Sequence, residues 1–287
     1  MYNRLGVEGA KLIGKLSQLT ILNISNNQIG DLGAQSISEL KLLKELFADN
    51  NQIGNTGVSF ISQLKQLLKL SLMGNYFDNE GVYSISKMDQ LTELDIGTNK
   101  IDEKGAQYIG EMKQLRKLFI SGTQIGSEGA KAISGLPNLT NLNIGYSQIG
   151  IEGAKYVCGM HQLTQLGIGN SRIGVETAKL IGQLKHLTFL VIEGNNIGDE
   201  GAKYISEAKL KKLVISNGRI GGEGAQYIAK LHQLTNLDIS CNNVDTAGAR
   251  SISKLPNLTI LDISVNKIGS GGARLIKGMT QLTKVIQ

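Results

Sequence analysis

Hydrophobic residues recur along this chain with a fixed period of 24 residues. Successive copies open at Leu19, Leu43, Leu67, Leu91, Leu115, Leu139, Leu163, Leu187, Leu210, Leu234 and Leu258. The copy from 187 to 209 is one residue short. With it, the chain holds eleven full copies, a partial copy over 1–18 and a stub over 282–287. A period in this range is typical of a solenoid, whose repeats contact only their neighbours. We therefore predict a single domain over residues 1–287.

The first part of each copy predicts a short strand. In the copy over 139–162, Leu142 and Ile144 alternate with Asn141 and Asn143. This period of two is typical of a strand that has one buried face. Because each copy also contributes a helix, successive strands should run parallel and be joined by right-handed crossovers.

The second part of each copy predicts a turn and a helix. Gly150 marks a place that is Gly in eight copies and Asp in three, and both residue types tolerate a positive φ. Ala154, Val157 and Met160 then form one apolar stripe along a helix. The place after the glycine suits a helix N-cap and is filled in seven copies by Asp31, Asn55, Asn79, Ser127, Asp199, Thr246 and Ser270.

A polar residue that follows the strand should connect the copies. It is asparagine in seven of them: Asn27, Asn51, Asn75, Asn99, Asn195, Asn242 and Asn266. A buried amide at a turn can satisfy backbone groups of adjacent copies, so we expect a ladder of such amides. We expect the ladder to be broken at Thr123, Ser147, Ser171 and Gly218.

The consensus L-x-x-L-x-I-x-x-N-x-I-G-x-x-G-A-x-x-I-x-x-L-x-x resembles leucine-rich repeats. With Gly-Ala leading the helix it is most similar to the ribonuclease-inhibitor-like class, and in its length to the GALA-type repeats of bacterial effectors. The resemblance implies an α/β, right-handed solenoid shaped as an arc or horseshoe, with a parallel sheet on the concave face and short helices on the convex face. It further implies a non-catalytic module that binds a protein partner on the concave face.

GALA-type proteins combine their repeats with an F-box and act as substrate receptors of a ubiquitin ligase. This chain departs from them, because residues 1–18 are already repeat and no F-box region is found. Two alternatives to a simple binding module therefore stay open. One is the substrate-recognition segment of a ubiquitin-ligase-type effector, as part of a larger protein. The other is a module for a non-protein ligand.

The charge pattern and the hydropathy argue against nucleic acid and membrane as partners. The formal net charge is +6, but Glu128, Glu152, Glu176 and Glu200 accompany the helix row of Lys131, Lys155, Lys179 and Lys203. A locally neutralised row without interleaved aromatic residues argues against nucleic acid. No apolar run approaches the ~18 residues of a membrane-spanning helix. We predict a monomer with a protein partner, no nucleic acid and no membrane.

The two cysteines favour a reducing compartment. Cys158 and Cys241 lie four copies apart, about 20 Å in a stack of strands, which is too far for a disulfide. Two unpaired thiols suit the cytoplasm, or delivery into a host cell if the chain belongs to a bacterial effector.

We find no constellation for catalysis, a metal or a cofactor. Cys158 and His161 have a suggestive spacing but no second pair of ligands. Asp238 and Asp262 should be neighbours on adjacent strands, yet the Leu-Asp-Ile-Ser habit of the repeat explains them equally well. No phosphate loop and no nucleophile beside a base is present. We therefore predict that the chain is not an enzyme.

The outward strand places and the loops at the sheet edge should carry the binding surface, since the core needs no aliphatic residue there. Glu45, Lys69, Glu93 and Lys117 alternate in sign, which predicts cross-strand ion pairs. Aromatic residues and arginine are enriched at protein interfaces. The predicted binding residues are Phe47, Met73, Tyr76, Phe119, Tyr146, Arg172, Phe189, Val191 and Val214.

Overall fold

The computed structural model describes residues 4–286. Residues 1–3 of the partial first copy and residue 287 of the final stub therefore lie outside the described residues. The chain divides into two compact units, one up to Gln148 and the other from Ile149 onward.

The first unit alternates helices with three-residue strands. Its strands pair in parallel and in register, each with the strand of the next copy. The elements are α1 (Gly6–Ile13), β1 (Ile21–Asn23), α2 (Gly30–Ile37), β2 (Glu45–Phe47), α3 (Asn55–Ile61), β3 (Lys69–Ser71), α4 (Asn79–Ser86), β4 (Glu93–Asp95), α5 (Glu103–Ile109), β5 (Lys117–Phe119), α6 (Gly126–Ser134) and β6 (Asn141–Asn143).

The second unit repeats this plan. Its strands are also parallel and paired in chain order. The elements are α7 (Gly150–Cys158), β7 (Gln165–Gly167), α8 (Val175–Gly182), β8 (Phe189–Val191), α9 (Gly198–Ile205), β9 (Lys212–Val214), α10 (Gly222–Ile228), β10 (Asn236–Asp238), α11 (Thr246–Ile252), β11 (Ile260–Asp262), α12 (Gly269–Lys277) and β12 (Lys284–Ile286). The predicted α/β repeat solenoid is confirmed, and a single domain over 1–287 stays a prediction.

The core lies between the layer of strands and the layer of helices. The central leucine of each strand from β2 to β11 points into it and is no more than 2% exposed. On the helix side of the core, Ala34, Ile37 and Leu40 of the copy over 19–42 are equally buried. Full burial of one such aliphatic side chain stabilises the fold by about 1.5–3 kcal/mol.

The predicted amide ladder is confirmed in the first copies. Asn51 Oδ1 accepts a hydrogen bond from the N–H of Asn27 at 3.0 Å, and its Nδ2 donates to the carbonyl of Ile24 at 2.9 Å. Asn75 contacts Asn51 in the same way, through a 3.0 Å bond from the Asn51 N–H. Each amide thus satisfies backbone groups of the preceding copy, which are buried and need a partner.

The predicted break in the ladder is only partial. The hydroxyl of Ser147 donates to the carbonyl of Ile120, 27 residues earlier, as an asparagine Nδ2 does elsewhere. The Thr123 hydroxyl donates to the same carbonyl. Hydroxyls therefore preserve part of the link because they are short enough to fit and still carry a donor.

The helix starts differ from the prediction. All seven residues predicted as N-caps lie inside the first turn of their helix. Where their side chains are acceptors, they cap the helix of the next copy. Asp31 Oδ1 accepts hydrogen bonds from the N–H groups of Gly54 at 2.7 Å and Gly57 at 3.1 Å. Asn55 does the same for Asp78 and Gly81, each at 3.0 Å. Stacking places the start of each helix beside the first turn of the helix in the preceding copy. The unpaired N–H groups at the helix start therefore donate to the side chain of that preceding turn.

The residue at the place that is Gly in eight copies and Asp in three adopts one of two backbone conformations. Gly30, Gly126, Gly150, Gly198 and Gly269 have φ between 57° and 62°, as predicted. The other members have an extended backbone and stand at the N-cap. Asp78, Asp102 and Asp245 there accept hydrogen bonds from their own helices. Positive φ also occurs at non-glycine places between strand and helix, which the sequence pattern did not predict.

We predict that Asn51→Ala lowers the free energy of unfolding by about 3 kcal/mol, because buried backbone groups lose their partners. Chemical denaturation followed by circular dichroism measures the change. Gln35→Ala, at an exposed helix position, is the control and should alter stability by less than about 0.5 kcal/mol. Equal stability of the two variants would contradict the structural role of the ladder.

We further predict that Val265→Asn raises the free energy of unfolding by about 1 kcal/mol. Val265 has φ of 55° and is 73% exposed, so its branched side chain strains the backbone without filling the core. Asparagine holds the corresponding place at Asn26, Asn50 and Asn217. Val265→Thr is polar but still branched and should give no gain, and a gain equal to that of Val265→Asn would contradict the explanation.

Candidate functional site

Two rows of side chains cover the outer face of each sheet. The first residue of every strand forms the first row, and the third residue forms the second row, because alternate residues share a face. The register aligns these residues from strand to strand, as in Glu45 with Lys69 and Phe47 with Ser71. The candidate site is this sheet face, which is built by residues that lie 23 or 24 positions apart in the chain.

The first row of the first unit carries the predicted ion pairs. Lys69 Nζ lies 3.3 Å from a carboxylate oxygen of Glu45 and 4.0 Å from one of Glu93. Lys117 Nζ lies 2.9 Å from Glu93. Partly exposed pairs of this kind contribute little stability each, about 0–1 kcal/mol. Their main effect is to orient four charged side chains along one line.

The second row of the same unit places an acid between two aromatic residues. Phe47, Ser71, Asp95 and Phe119 are register neighbours on β2 to β5. Together with Lys69 and Glu93 they line a small groove of about 130 Å³. Phe47 and Phe119 are partly exposed. Two of the predicted binding residues thus lie in one concavity.

Asp95 is an unusual carboxylate. Burial raises its pKa to about 6, the Asp49 charge adds to the rise, and the hydrogen bond from the Gly97 N–H opposes it. Asp49 in turn accepts hydrogen bonds from the Ser71 hydroxyl and from the Met73 N–H. Sequence reasoning missed Asp49 and Asp95. The only signal was an acid at an outward strand place between two phenylalanines.

The second unit has a larger groove of about 380 Å³ on its sheet face. Phe189, Val214 and Ile260 supply apolar walls, and Asp238 and Asp262 stand side by side in the second row. Lys212, Asn236, Lys284 and Ile286 also line it. Phe189 and Val214 are predicted binding residues, and Val191, also predicted, is partly exposed but does not line the groove.

The predicted loop residues are exposed but dispersed. Tyr76 is 62% exposed and faces a polar concavity with Asn26, Gln28, Asn50 and Gln52. Met73, Tyr146 and Arg172 are also exposed, and none of them lines either groove on the sheet face. Tyr146 and Arg172 have positive φ, of 57° and 55°.

The helix face is charged and partly self-paired. Lys155 Nζ lies 2.6 Å from Glu152, and Lys131 Nζ lies 3.5 Å from Glu128. These pairs agree with the predicted local neutralisation of the lysine row. Within residues 4–286, no helix combines the length and the apolar character that membrane crossing requires.

The thiols and acids do not gather into a reactive centre in the described part of the chain. Cys158 is buried, which raises its thiol pKa to about 12, whereas Cys241 is exposed, and neither forms a disulfide. Among residues 4–286, no three His, Cys, Asp or Glu side chains are grouped as metal ligands would be.

Family models match most of the chain. A model described as a leucine-rich repeat region matches residues 3–193, and two described as leucine rich repeats match 183–206 and 208–268. The chain belongs to the leucine-rich-repeat family. Leucine-rich-repeat domains generally mediate protein–protein interactions and are typically not enzymes. No curated protein sequence matches this leucine-rich-repeat chain.

Solved structures agree with this leucine-rich-repeat fold. An internalin of Listeria monocytogenes is 21% identical with a TM-score of 0.61, and the match covers 98% of this chain and 94% of that one. A leucine-rich-repeat protein of Leptospira interrogans is 20% identical with a TM-score of 0.58, covering 95% and 85%. A TDR receptor is 17% identical with a TM-score of 0.58, covering 99% of this chain and 58% of the receptor. At these identities the similarity shows the fold alone.

We predict that Asp95→Asn stabilises this leucine-rich-repeat protein by on the order of 2 kcal/mol at pH 7.5. Because the folded-state pKa of Asp95 is raised from 3.8 to about 6, its ionised form costs stability above pH 6. That cost is complete above pH 6, shrinks as the pH falls from about 6 toward 3.8, and is lost below 3.8, where the carboxyl is protonated in both states. Denaturation at several pH values measures the difference between variant and parent.

The control for this substitution is Asp89→Asn, at an exposed position. It reports the effect of the amide itself, away from the sheet face. A gain from Asp95→Asn that does not shrink between pH 7.5 and pH 4 would show that burial of the charge is not its cause.

Proposed function

We propose that this leucine-rich-repeat protein is a non-catalytic module that recognises a protein partner with the outer face of its sheets. One observation carries the proposal. The side chains that point into the core are nearly the same in every copy, whereas those on the outer face differ from strand to strand. The fold therefore leaves the chemistry of this face free for recognition.

The face has the composition that interfaces favour. Phe47, Phe119 and Phe189 are partly exposed on strands whose backbone pairing is the same as that of their neighbours. Nothing in the strand geometry requires an aromatic side chain at these places. Exposed aromatic anchors surrounded by charged side chains are typical of the centre of a binding surface.

The helix face is a weaker candidate. Lys131 and Lys155 there are paired with glutamates three residues away. Exposed apolar residues such as Leu32 also occur there, which is normal for soluble proteins.

We also propose that the repeats belong to the ribonuclease-inhibitor-like class, with GALA-type repeats as the nearest in length. The Gly-Ala pair at the helix start supports this. Ala34 is fully buried, and a Cβ added at Gly33 would lie 2.5 Å from the Cβ of Ile29. The absence of a side chain at Gly33 lets the helix lie this close to the turn, although Val58 and Val82 replace the alanine and Thr177 replaces the glycine in other copies.

We predict that Phe119→Glu and Phe189→Glu each weaken partner capture by about 30-fold, because a charge replaces an apolar anchor. The immobilised chain recovers partners from a lysate of the organism that encodes it, and quantitative mass spectrometry compares the variants. Circular dichroism should show an unchanged fold, since both rings are partly exposed.

Leu32→Glu is the matched control, because Leu32 is an apolar residue 62% exposed on the helix face. It should leave capture unchanged. Loss of capture in Leu32→Glu, together with full capture by both phenylalanine variants, would move the interface to the helices and overturn the proposal.

A further inference from the structure

The groove in the second unit combines apolar walls with two carboxylates. Phe189, Val214 and Ile260 line it, and Ile260 is exposed although it belongs to a strand. Asp238 and Asp262 are register partners on β10 and β11, so their side chains stand next to each other on the same face. This combination occurs within one concavity of about 380 Å³.

Both carboxylates are held in a fixed orientation with one oxygen free. Asp238 Oδ1 accepts hydrogen bonds from the N–H of Ser240 at 3.0 Å and from its hydroxyl at 2.6 Å. Asp262 Oδ1 accepts the same two bonds from Ser264, at 3.0 and 2.6 Å. Within residues 4–286, the ion pairs include neither aspartate, and neither Oδ2 accepts a hydrogen bond.

The fold does not require these negative charges. Asn23 and Asn143 hold the same place in other copies and accept the same backbone bond, from Ser25 at 3.1 Å and Gly145 at 3.2 Å. A neutral amide therefore serves the turn equally well. Two like charges on adjacent strands repel each other and cost stability, so their presence needs another explanation.

The two lysines of the groove leave the aspartates unpaired. Lys212 and Lys284 belong to the first row, whereas the aspartates belong to the second. Lys212 Nζ lies 5.9 Å from the centre of the Phe189 ring, and neither lysine is within ion-pair distance of an aspartate. The groove is therefore polarised, with its negative side toward the ends of the strands.

We propose that this groove binds an extended peptide segment of a partner protein in which an arginine or lysine stands next to an apolar residue. The basic group lies between Asp238 and Asp262, and its apolar neighbour packs on Ile260, which precedes Asp262 on the same strand, while Phe189 lies at the β8 end of the groove. A guanidinium fits best, because its fork of N–H donors can reach both free carboxylate oxygens at once. The proposal rests on the proposed function and names the chemistry of the partner.

Charge complementarity distinguishes this occupant from others. Unpaired carboxylates repel a phosphate backbone, which argues against nucleic acid. Two carboxylates without further acidic or histidine ligands are too few for a protein cage around a metal ion. An apolar wall beside a negative pair instead matches the alternation of apolar and basic side chains along an extended peptide.

The test is a selection with random peptides of about 12 residues, displayed on phage, against the full chain. Selected sequences are synthesised with a fluorescent label, and their dissociation constants are measured by polarisation. We expect arginine or lysine beside Leu, Ile, Val or Phe. Raising the salt concentration from about 50 to about 500 mM should weaken binding several-fold.

The decisive variant is Asp238→Asn with Asp262→Asn, which keeps the backbone bonds of the turn and removes only the charges. We expect it to weaken peptide binding by at least about 10-fold. Glu128→Gln with Glu152→Gln removes the same formal charge from the helix face and should have no effect. Circular dichroism verifies that both double variants fold.

Two results would overturn this inference while leaving the proposed function intact. One is that no selected peptide carries a basic residue and depends on the aspartates, while Phe119→Glu and Phe189→Glu still weaken partner capture. The other is a concentration-dependent dimer, detected by sedimentation and lost in the aspartate variant, which would make a second copy the occupant. Capture that is unaffected by any sheet-face variant would contradict the proposed function itself.

Discussion

The structure depends on the amide side chain that follows the strand in seven of the copies. Backbone groups at this turn are shielded from water, so an unpaired N–H or carbonyl there would be costly. Asn51 and Asn75 satisfy groups of the preceding copy as well as their own. This interaction makes a copy that carries the amide incomplete without its neighbour, and it adds to the strand pairing that holds neighbouring copies in register.

The helix starts also depend on groups from a neighbouring copy. Asp31 and Asn55 do not cap the helices in which they lie, but those of the next copy. The amide ladder and these two helix caps are thus contacts between copies about 24 residues apart. Stability is consequently shared along the stack, which allows individual places to carry residues that a single copy would not tolerate.

The outer sheet face carries acidic residues that cost the folded state stability. Asp95 between two phenylalanines has a raised pKa of about 6, which is a cost to the folded state at neutral pH. Asp238 and Asp262 add a second pair of negative charges at places where asparagine would serve the turn equally well. Apolar side chains lie beside oriented carboxylates in both units, which supports the proposal that this face recognises a partner.

Much of the architecture could be predicted from the sequence by itself. The period, the short strands, the apolar helix stripe, the amide ladder and the ion pairs of Glu45, Lys69, Glu93 and Lys117 all follow from local spacing and from stacking in register. Only the tertiary structure decided that Asp31 caps the next helix, that Gly54 is extended where Gly30 has positive φ, and that Asp95 is buried beside Asp49. It also decided that Phe189 and Val214 share a groove with Asp238, whereas Tyr146 and Arg172 do not. These features depend on distances and burial between different copies, and a pattern that repeats in every copy cannot distinguish them.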